Sequence, residues 1–386
     1  MRTATLLALA ALLPPAGTRP LRYQEVPEAI RASIAPDAAS FGGLLERIES
    51  QTSERLARGE EEHLVYYVLQ SSVFTRRARI EPALSAKEAI ESGCVPEAAQ
   101  ARMRDFLAAL KRPSQDPRLA HYRDHFRGTG ERLQAAYREA MRFLYSKEFG
   151  AGGPGVYQTR GHSTDTSLAP CFTVWNALAV LRSLAPGARL SRVLVVGPGL
   201  DFAPRTGLRD DVPPQSYQPY LTARALLEWK LADASRLEVD CVDINPRVVR
   251  FIGKRNTVLV LPRETGNADF LEYVRELGPR IEVPAVPVRA VQFNILTQRF
   301  DPPRLFDLVI TTNVLVYFDA IELKLALANI HAMLKPGGWL IHNELRPELE
   351  QISAALGMPP VHGRTLEIAK GAKAPLLDAF AIHRKY

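Results

Sequence analysis

The sequence predicts an α/β fold built on a largely parallel sheet and preceded by a helical segment. Three observations carry this. Val193–Val196 is a continuous apolar run of Val and Leu, the pattern of a strand buried on both faces. It runs into Gly197-Pro198-Gly199, a tight turn with no side chain to keep a ligand off the backbone. The next apolar run, Leu237–Ile244, carries the acid Asp243 at its end. A strand entering such a turn, beside a strand ending in an acid, places a ligand at the carboxyl edge of the sheet.

The whole chain sets the bounds. Its 386 residues are long for one domain, so two are expected. Charged residues at 24% and hydrophobic residues at 46% describe an ordinary globular chain. The net charge of +7 reads as a solvated basic surface. Three cysteines (Cys94, Cys171, Cys241) make no disulfide framework, and no CxxC or Cys/His cluster points to a metal. Basic residues are not interleaved with aromatics, so no nucleic-acid partner is expected. Met1-Arg2, the apolar run Ala4–Leu13 and Pro14–Gly17 have the charge, core and small-residue end of an export signal over 1–17. That run is too short to span a membrane. Export to a secreted or periplasmic site is expected from it; a mis-assigned start would leave the chain cytoplasmic.

From 21 to 150 the spacing is helical. Helices are predicted over Phe41–Leu56, Glu60–Phe74, Ala98–Lys111 and Thr129–Tyr145. His63 and Tyr66-Tyr67 read as packing residues. Gly and Pro cluster over Phe149–Gly155, so the boundary is set at 150, with a second domain over 151–386. Tyr157–Thr166 is dense in donors and acceptors. It is either a linker in which Ser163 or Asp165 caps the next helix, or a lid over a ligand.

A helix over Phe172–Leu184 leads into the first strand. After the glycine turn, Asp201–Tyr220 is long and polar, as functional loops are. A helix over Pro219–Leu231 follows, and Pro246 marks another helix start. Thr257–Arg263 and Val288–Phe293 read as strands with a helix over Ala268–Leu277 between them. The later strand ends at Asn294-Ile295-Leu296 and is expected beside the first strand, with Asn294 next to a bound base. Phe306–Asp319, Leu334–Leu340 and the tail segments Arg364–Ala369 and Asp378–Lys385 complete the sheet.

These stretches resemble class I S-adenosyl-L-methionine (SAM)-dependent methyltransferases. The likeness lies in the strand-turn SRVLVVGPG, in Asp243, which is placed to accept both ribose hydroxyls of an adenosine, in FDLVITTNVLVYFD and in LKPGGWL. Within that group, Asn-Val-Leu-x-Tyr-Phe-Asp and Leu-Lys-Pro-Gly-Gly are similar to the chemotaxis-receptor glutamate methyltransferases. The resemblance covers roughly Pro170 to Tyr386. It implies a Rossmann-like seven-stranded sheet closed by an antiparallel hairpin, SAM as cofactor, and methyl transfer to an unidentified acceptor, a small molecule or a protein.

The residues then expected at the cofactor are Gly197, Pro198, Gly199, Asp201, Asp243, Ile244, Asn294, Ile295, Asn313 and Val314. Arg160 is added for the methionine carboxylate, by analogy with an Arg that precedes the core in the chemotaxis enzymes. Tyr317, His342 and Glu344 are the candidates to face the methyl group, His342 and Glu344 from one side of a strand. The chain departs from the family at Val195, where an acid commonly anchors the methionine amino group. Asp201, Asp210 or Asp211 is expected to replace it, on a loop that closes over the cofactor together with Tyr157–Thr166. Two alternatives stay open: an inactive binder of the same fold, and an NAD(P)-dependent oxidoreductase. The latter is disfavoured by Phe202 at the last position of GxGxxG.

Overall fold

The computed structural model describes residues 17–150, 155–203, 207–254, 258–261, 264–370 and 375–386. The expected export signal lies, but for Gly17, outside the described residues.

In chain order the first elements are β1 (Gly17–Pro20), α1 (Glu28–Arg31), α2 (Ala38–Gln70), α3 (Pro82–Ser92), α4 (Glu97–Ala109), α5 (Pro117–His125), α6 (Gly130–Glu148) and α7 (Gly155–Gln158). Then come α8 (Leu168–Leu184), β2 (Arg192–Val196), α9 (Gln218–Glu228), β3 (Glu238–Asp243), α10 (Pro246–Gly253), β4 (Val258–Val260), α11 (Ala268–Leu277) and β5 (Arg280–Glu282). The last are β6 (Val288–Gln292), β7 (Gln298–Asp301), β8 (Phe306–Thr311), α12 (Ala320–Met333), β9 (Leu334–His342), α13 (Pro347–Ala355), β10 (Pro360–Ala369) and β11 (Leu376–Arg384).

The seven-stranded sheet is present, in the order β10-β11-β9-β8-β2-β3-β6. β2 pairs in parallel with β3 on one side and β8 on the other, Val195 lying between Cys241 and Ile310. Only β11 runs against the other strands: it pairs antiparallel with β9 on one side and with its hairpin partner β10 on the other, so β10 runs in the direction of the rest. The chain therefore leaves β2 in one direction, reaches the edge at β6, and returns to the other side of β2. That reversal opens a crevice at the carboxyl ends of β2 and β8.

Alternation along each strand fills two cores. Val193 and Val195 face one with α8, α9 and the α3–α6 helices; Leu194 and Val196 face the other with α1, α12 and α13. The helical segment thus shares its core with the sheet. β4 and β5 form a separate antiparallel pair, a small insertion before β6. β1, which sequence reading missed, pairs with β7.

The two helices expected over 41–74 are one helix, α2, of 33 residues. Gly59, which falls between the two expected spans, is there for a contact. A Cβ at Gly59 would collide with the carbonyl oxygen of His162. Asp37 caps the helix by accepting from Ser40 N at 2.8 Å. Buried positions 41, 45, 48, 52, 55 and 59 make one stripe; from Glu62 to Gln70 every residue is buried. At about 1.5 Å per residue the helix is about 50 Å long. Its first half crosses the sheet's carboxyl edge and its second half is wrapped by helices.

Candidate active site

The first part of the site is the turn after β2. Gly197 and Gly199 have φ of 65° and 70°, a region open to glycine. Gly199 also has no room for a side chain: a Cβ there would lie 2.8 Å from the Thr164 carbonyl oxygen. Leu200 N donates to that carbonyl at 2.7 Å. The segment before α8 is thereby fastened across the glycine turn.

A cleft, partly open to solvent, lies at this edge. Gly197, Pro198 and Gly199 form one wall, and Asp243 and Ile244 from the end of β3 form the next. Phe293, Asn294, Ile295 and Leu296 follow β6, and Thr312, Asn313, Val314 and Tyr317 follow β8. The roof comes from Thr52 of α2 and from the chain between His162 and Thr166.

Asp243 is almost fully buried. Its carboxylate accepts from Asn245 N at 2.8 Å. Burial pushes this carboxyl up to about 7, against the opposing pull of the Asn245 and Gly199 backbone amides. Asn294 donates from Nδ2 to Thr52 Oγ1 at 3.4 Å, and its Oδ1 accepts from Leu296 N at 3.0 Å. The strand before it corrects one expectation: β6 pairs with β3 at the sheet edge, not with β2. Asn294 reaches the cleft because the chain turns inward after that edge.

Asn313 has φ of 56° and is held there by Asn343, which accepts from Asn313 N and donates to Asn313 Oδ1, both at 2.8 Å. Tyr317 lies in a short 3-10 turn just before α12. The Asp319/Glu322 capping box fixes the start of that helix. Arg55 Nη2 donates to Tyr317 O at 2.9 Å from α2. Burial raises the Tyr317 hydroxyl, so it stays protonated.

Several expected residues are elsewhere. Arg160 pairs with buried Glu62, Nε to Oε2 and Nη2 to Oε1 both at 2.8 Å, and donates to the Tyr317 hydroxyl at 3.2 Å. Glu62 takes the charge intended for a ligand, and Arg160 does not line the cleft. Asp201 accepts from the Tyr217 hydroxyl at 3.1 Å beneath the turn, where burial pushes it up to about 6. Asp210 accepts from Ser72 N at 2.7 Å just past the end of α2, with Arg79 at 3.1 Å. Asp211 pairs at the surface with Arg209. None of the three lines the cleft.

His342 and Glu344 are also displaced. His342 is sealed between β9 and β11, its Nε2 2.8 Å from Nε2 of His383. Glu344 lies beyond the end of β9, so the expected alternation of the pair on one strand fails. It sits 3.6 Å from Arg346 Nε.

Asp165 is the residue that sequence reading missed. It lines the cleft and is 28% exposed. Fully buried His63 on α2 faces it, Nε2 2.9 Å from Oδ1, while the same nitrogen makes its hydrogen bond with Ser163 Oγ at 3.0 Å. Burial opposes ionisation, but His63, Arg160 and Ser163 bring the carboxyl down to about 2. Its Oδ2 accepts no hydrogen bond from a described residue. The available signal was the polar density of Tyr157–Thr166; the partner, 102 positions away on α2, was not readable.

The roof is tied down at other points. Glu60 of α2 accepts from Asn245 Nδ2 at 2.7 Å and Arg247 Nη2 at 2.6 Å. Arg247 stacks over Phe202 at 3.9 Å. Gln218, at the start of α9, donates to Thr312 Oγ1 at 2.7 Å. Among the described residues no group of three or more His, Cys, Asp or Glu side chains is arranged to hold a metal ion. No described helix is long and apolar enough to cross a membrane.

No protein-family model matches the chain, and no curated protein matches it. Solved structures do. The N-methyltransferase NodS from Bradyrhizobium japonicum WM9, in complex with S-adenosylhomocysteine, is 18% identical with a TM-score of 0.31, over 55% of this chain and 85% of that one. A TehB-like SAM-dependent methyltransferase from Corynebacterium glutamicum is 15% identical with a TM-score of 0.29, over 54% and 87%. The magnesium protoporphyrin IX methyltransferase ChlM from Synechocystis PCC 6803 is 13% identical with a TM-score of 0.31, over 56% and 84%. At these scores the likenesses add nothing to the strand order, which is read from this chain directly.

Proposed function

We propose that this protein is a SAM-dependent methyltransferase. The observation that carries the proposal is the cleft itself. A glycine turn, a strand-end acid and the two following strand ends converge at the topological switch point of a 3-2-1-4-5-7-6 sheet, counting its strands along the chain.

The residues fit the cofactor by chemistry. Asp243 accepts the ribose hydroxyls. Ile244, Phe293, Ile295 and Leu296 make an apolar slot for adenine, with Asn294 at its polar edge. Gly197 and Gly199 let the backbone approach the methionine end, and Asn313 and Val314 flank it. Asp165 supplies the negative charge that Val195 does not, and receives the α-ammonium group. Bound SAM supplies a sulfonium methyl for in-line displacement. The chain aligns the acceptor and excludes water, and no general base is needed unless the acceptor is a weak acid.

A dinucleotide is disfavoured by the same geometry. Pyrophosphate sites use a helix N-terminus directly after the glycine turn, and here α9 begins only at Gln218. The narrower likeness of Asn313–Asp319 and Leu334–Gly338 to chemotaxis-receptor glutamate methyltransferases supports a carboxylate as one acceptor to test.

Calorimetry with S-adenosylhomocysteine (SAH), SAM and NAD tests the reading. SAH and SAM should bind and NAD should not. Labelled SAM turned over against a cell extract then separates an enzyme from an inactive binder.

A further inference from the structure

A second cavity adjoins the cleft across the Arg160–Tyr317 pair. It lies between α2, α6 and the chain from Val156 to Gly161, and is open on one side to solvent. Consecutive residues line the two spaces, Gly161 the second cavity and His162 the first. The hydrogen bond from Arg160 Nη1 to the Tyr317 hydroxyl joins a residue lining the second cavity to one lining the first.

The cavity is shaped for an apolar body. Ala136 and Ala140, one turn apart on α6, leave space that larger side chains would fill. Phe143 adds a ring, with the Arg160 guanidinium 4.2 Å from its centroid and Tyr157 edge-on to it at 5.8 Å.

Its charges are mostly committed. Glu61 accepts from Arg132 Nε and Nη2 at 2.9 and 2.6 Å. Glu62 holds Arg160. Arg58 and Glu139 offset each other at 3.6 Å. Arg142 lines the cavity with no ion-pair or hydrogen-bond partner among the described residues. One uncompensated positive charge therefore stands at the rim of a largely apolar space.

Resting on the methyltransferase reading, we infer that this second cavity receives the methyl acceptor, and that the acceptor is a small organic anion. Its apolar or aromatic body sits on Ala136, Ala140 and Phe143, and its carboxylate pairs with Arg142. Its nucleophilic atom points to Tyr317, whose protonated hydroxyl orients it, and displaces the Arg160–Tyr317 hydrogen bond. A lone pair of that atom forms the new bond to the methyl carbon. The sulfur–methyl bond breaks with its electrons going to sulfur, and a proton on the acceptor, where there is one, passes to water.

The test uses the full chain and SAH release from SAM. The probes are nicotinate, isonicotinate and 4-mercaptobenzoate, whose ring nitrogen or thiolate needs no general base, each beside its own neutral amide. At least one carboxylate should turn over, with kcat/KM at least about tenfold above its amide, the scale of a charge-assisted bond. Arg142→Gln should raise KM about tenfold with little change in kcat, and Arg142→Lys should restore part of it. Ser146→Trp, at an exposed rim position, and Ala140→Leu should both cut kcat/KM while leaving SAH affinity unchanged. With SAH bound, an inert panel, equal turnover of the amides, or indifference to these variants overturns the inference. Failure of SAH to bind overturns the methyltransferase reading instead, and the acceptor site falls with it.

Discussion

Asp165 and His63 meet beside the Gly199 turn, Oδ1 to Nε2 at 2.9 Å, the imidazole fully buried and the carboxylate partly open. Burial alone would discharge the histidine. Asp165 outweighs it and raises the imidazole above its usual value. One carboxylate oxygen faces the buried imidazole, and the other, which accepts no hydrogen bond from a described residue, is left for a ligand cation.

That division predicts a selective defect. Asp165→Asn should weaken SAH binding by about 1.5–3 kcal/mol, the range for a hydrogen bond to a charged group. Binding of 5′-methylthioadenosine, which has no amino-acid group, should be unchanged. Calorimetry on both ligands checks this. An equal loss on the two would place Asp165 in the architecture of the turn rather than at the ammonium.

Asp243 predicts a pH dependence. Its folded value is raised to about 7 from 3.8 by burial. The folded chain therefore keeps a proton that the unfolded chain has released, and this group's contribution to stability is lost as pH rises from 3.8 to 7. Ribose hydroxyls donate to the ionised form, so binding runs the other way. Affinity for SAH and for methylthioadenosine should rise through pH 7, by up to about tenfold per unit below it. Titrations between pH 5.5 and 8.5 would show it. A flat profile would detach Asp243 from the ribose.

Gly59 gives a prediction of sign. In an exposed helix interior, Gly→Ala stabilises by about 1 kcal/mol. Here the new Cβ meets the His162 carbonyl, and overpacking of this kind destabilises by about 1–3 kcal/mol. Gly59→Ala should lower the urea midpoint and also weaken SAH binding, because the displaced segment carries Asp165. A raised midpoint would mean that the helix and the segment are not in contact in solution.

His342 and His383 predict an acid-sensitive seam. His383 Nδ1 donates to Met358 O at 2.9 Å, and His342 Nδ1 accepts from Glu344 N at 3.2 Å. Those partners assign the remaining proton to His342 Nε2, which donates to His383 Nε2. Both rings are neutral, and burial lowers both from 6.5. The stability they contribute is intact above 6.5 and is lost as pH falls below it, since the unfolded chain takes up the protons first. His342→Gln should be less stable than the parent at pH 7.5, by about 1–3 kcal/mol for the broken buried bond. The gap should narrow at pH 5.5. Buried acids such as Asp201 and Glu264 shift in the opposite sense and cancel in this difference. A constant gap would mean that the pair is not neutral.

The sheet was legible because its central strands are continuous apolar runs closed by Gly, Pro or Asp. Val193–Val196, Leu237–Asp243 and Phe306–Thr311 state their own burial, and the strand-end positions Asp243 and Asn313 come with them. What stayed hidden depends on partners far away in the chain. The two helices expected over 41–74 become one, with Gly59 inside it, where the backbone of His162 lies against that glycine. Arg160 reads as a free cation until Glu62, on an element assigned to another domain, is seen to hold it. His342 reads as a strand-end base until β11 covers it with His383. Asp165 reads as a helix cap, and His63 makes it a poised carboxylate.

The roof helix sets an order of events during synthesis. Thr52 meets Asn294 across 242 positions, and Arg55 meets the Tyr317 carbonyl across 262. α2 leaves the ribosome long before either partner exists, with Glu60, Glu62 and His63 still lacking the groups that compensate them. Closing loops of that span is slow, and the interval leaves an amphipathic helix exposed to wrong partners. The binding cleft is therefore among the last parts of the molecule to be completed.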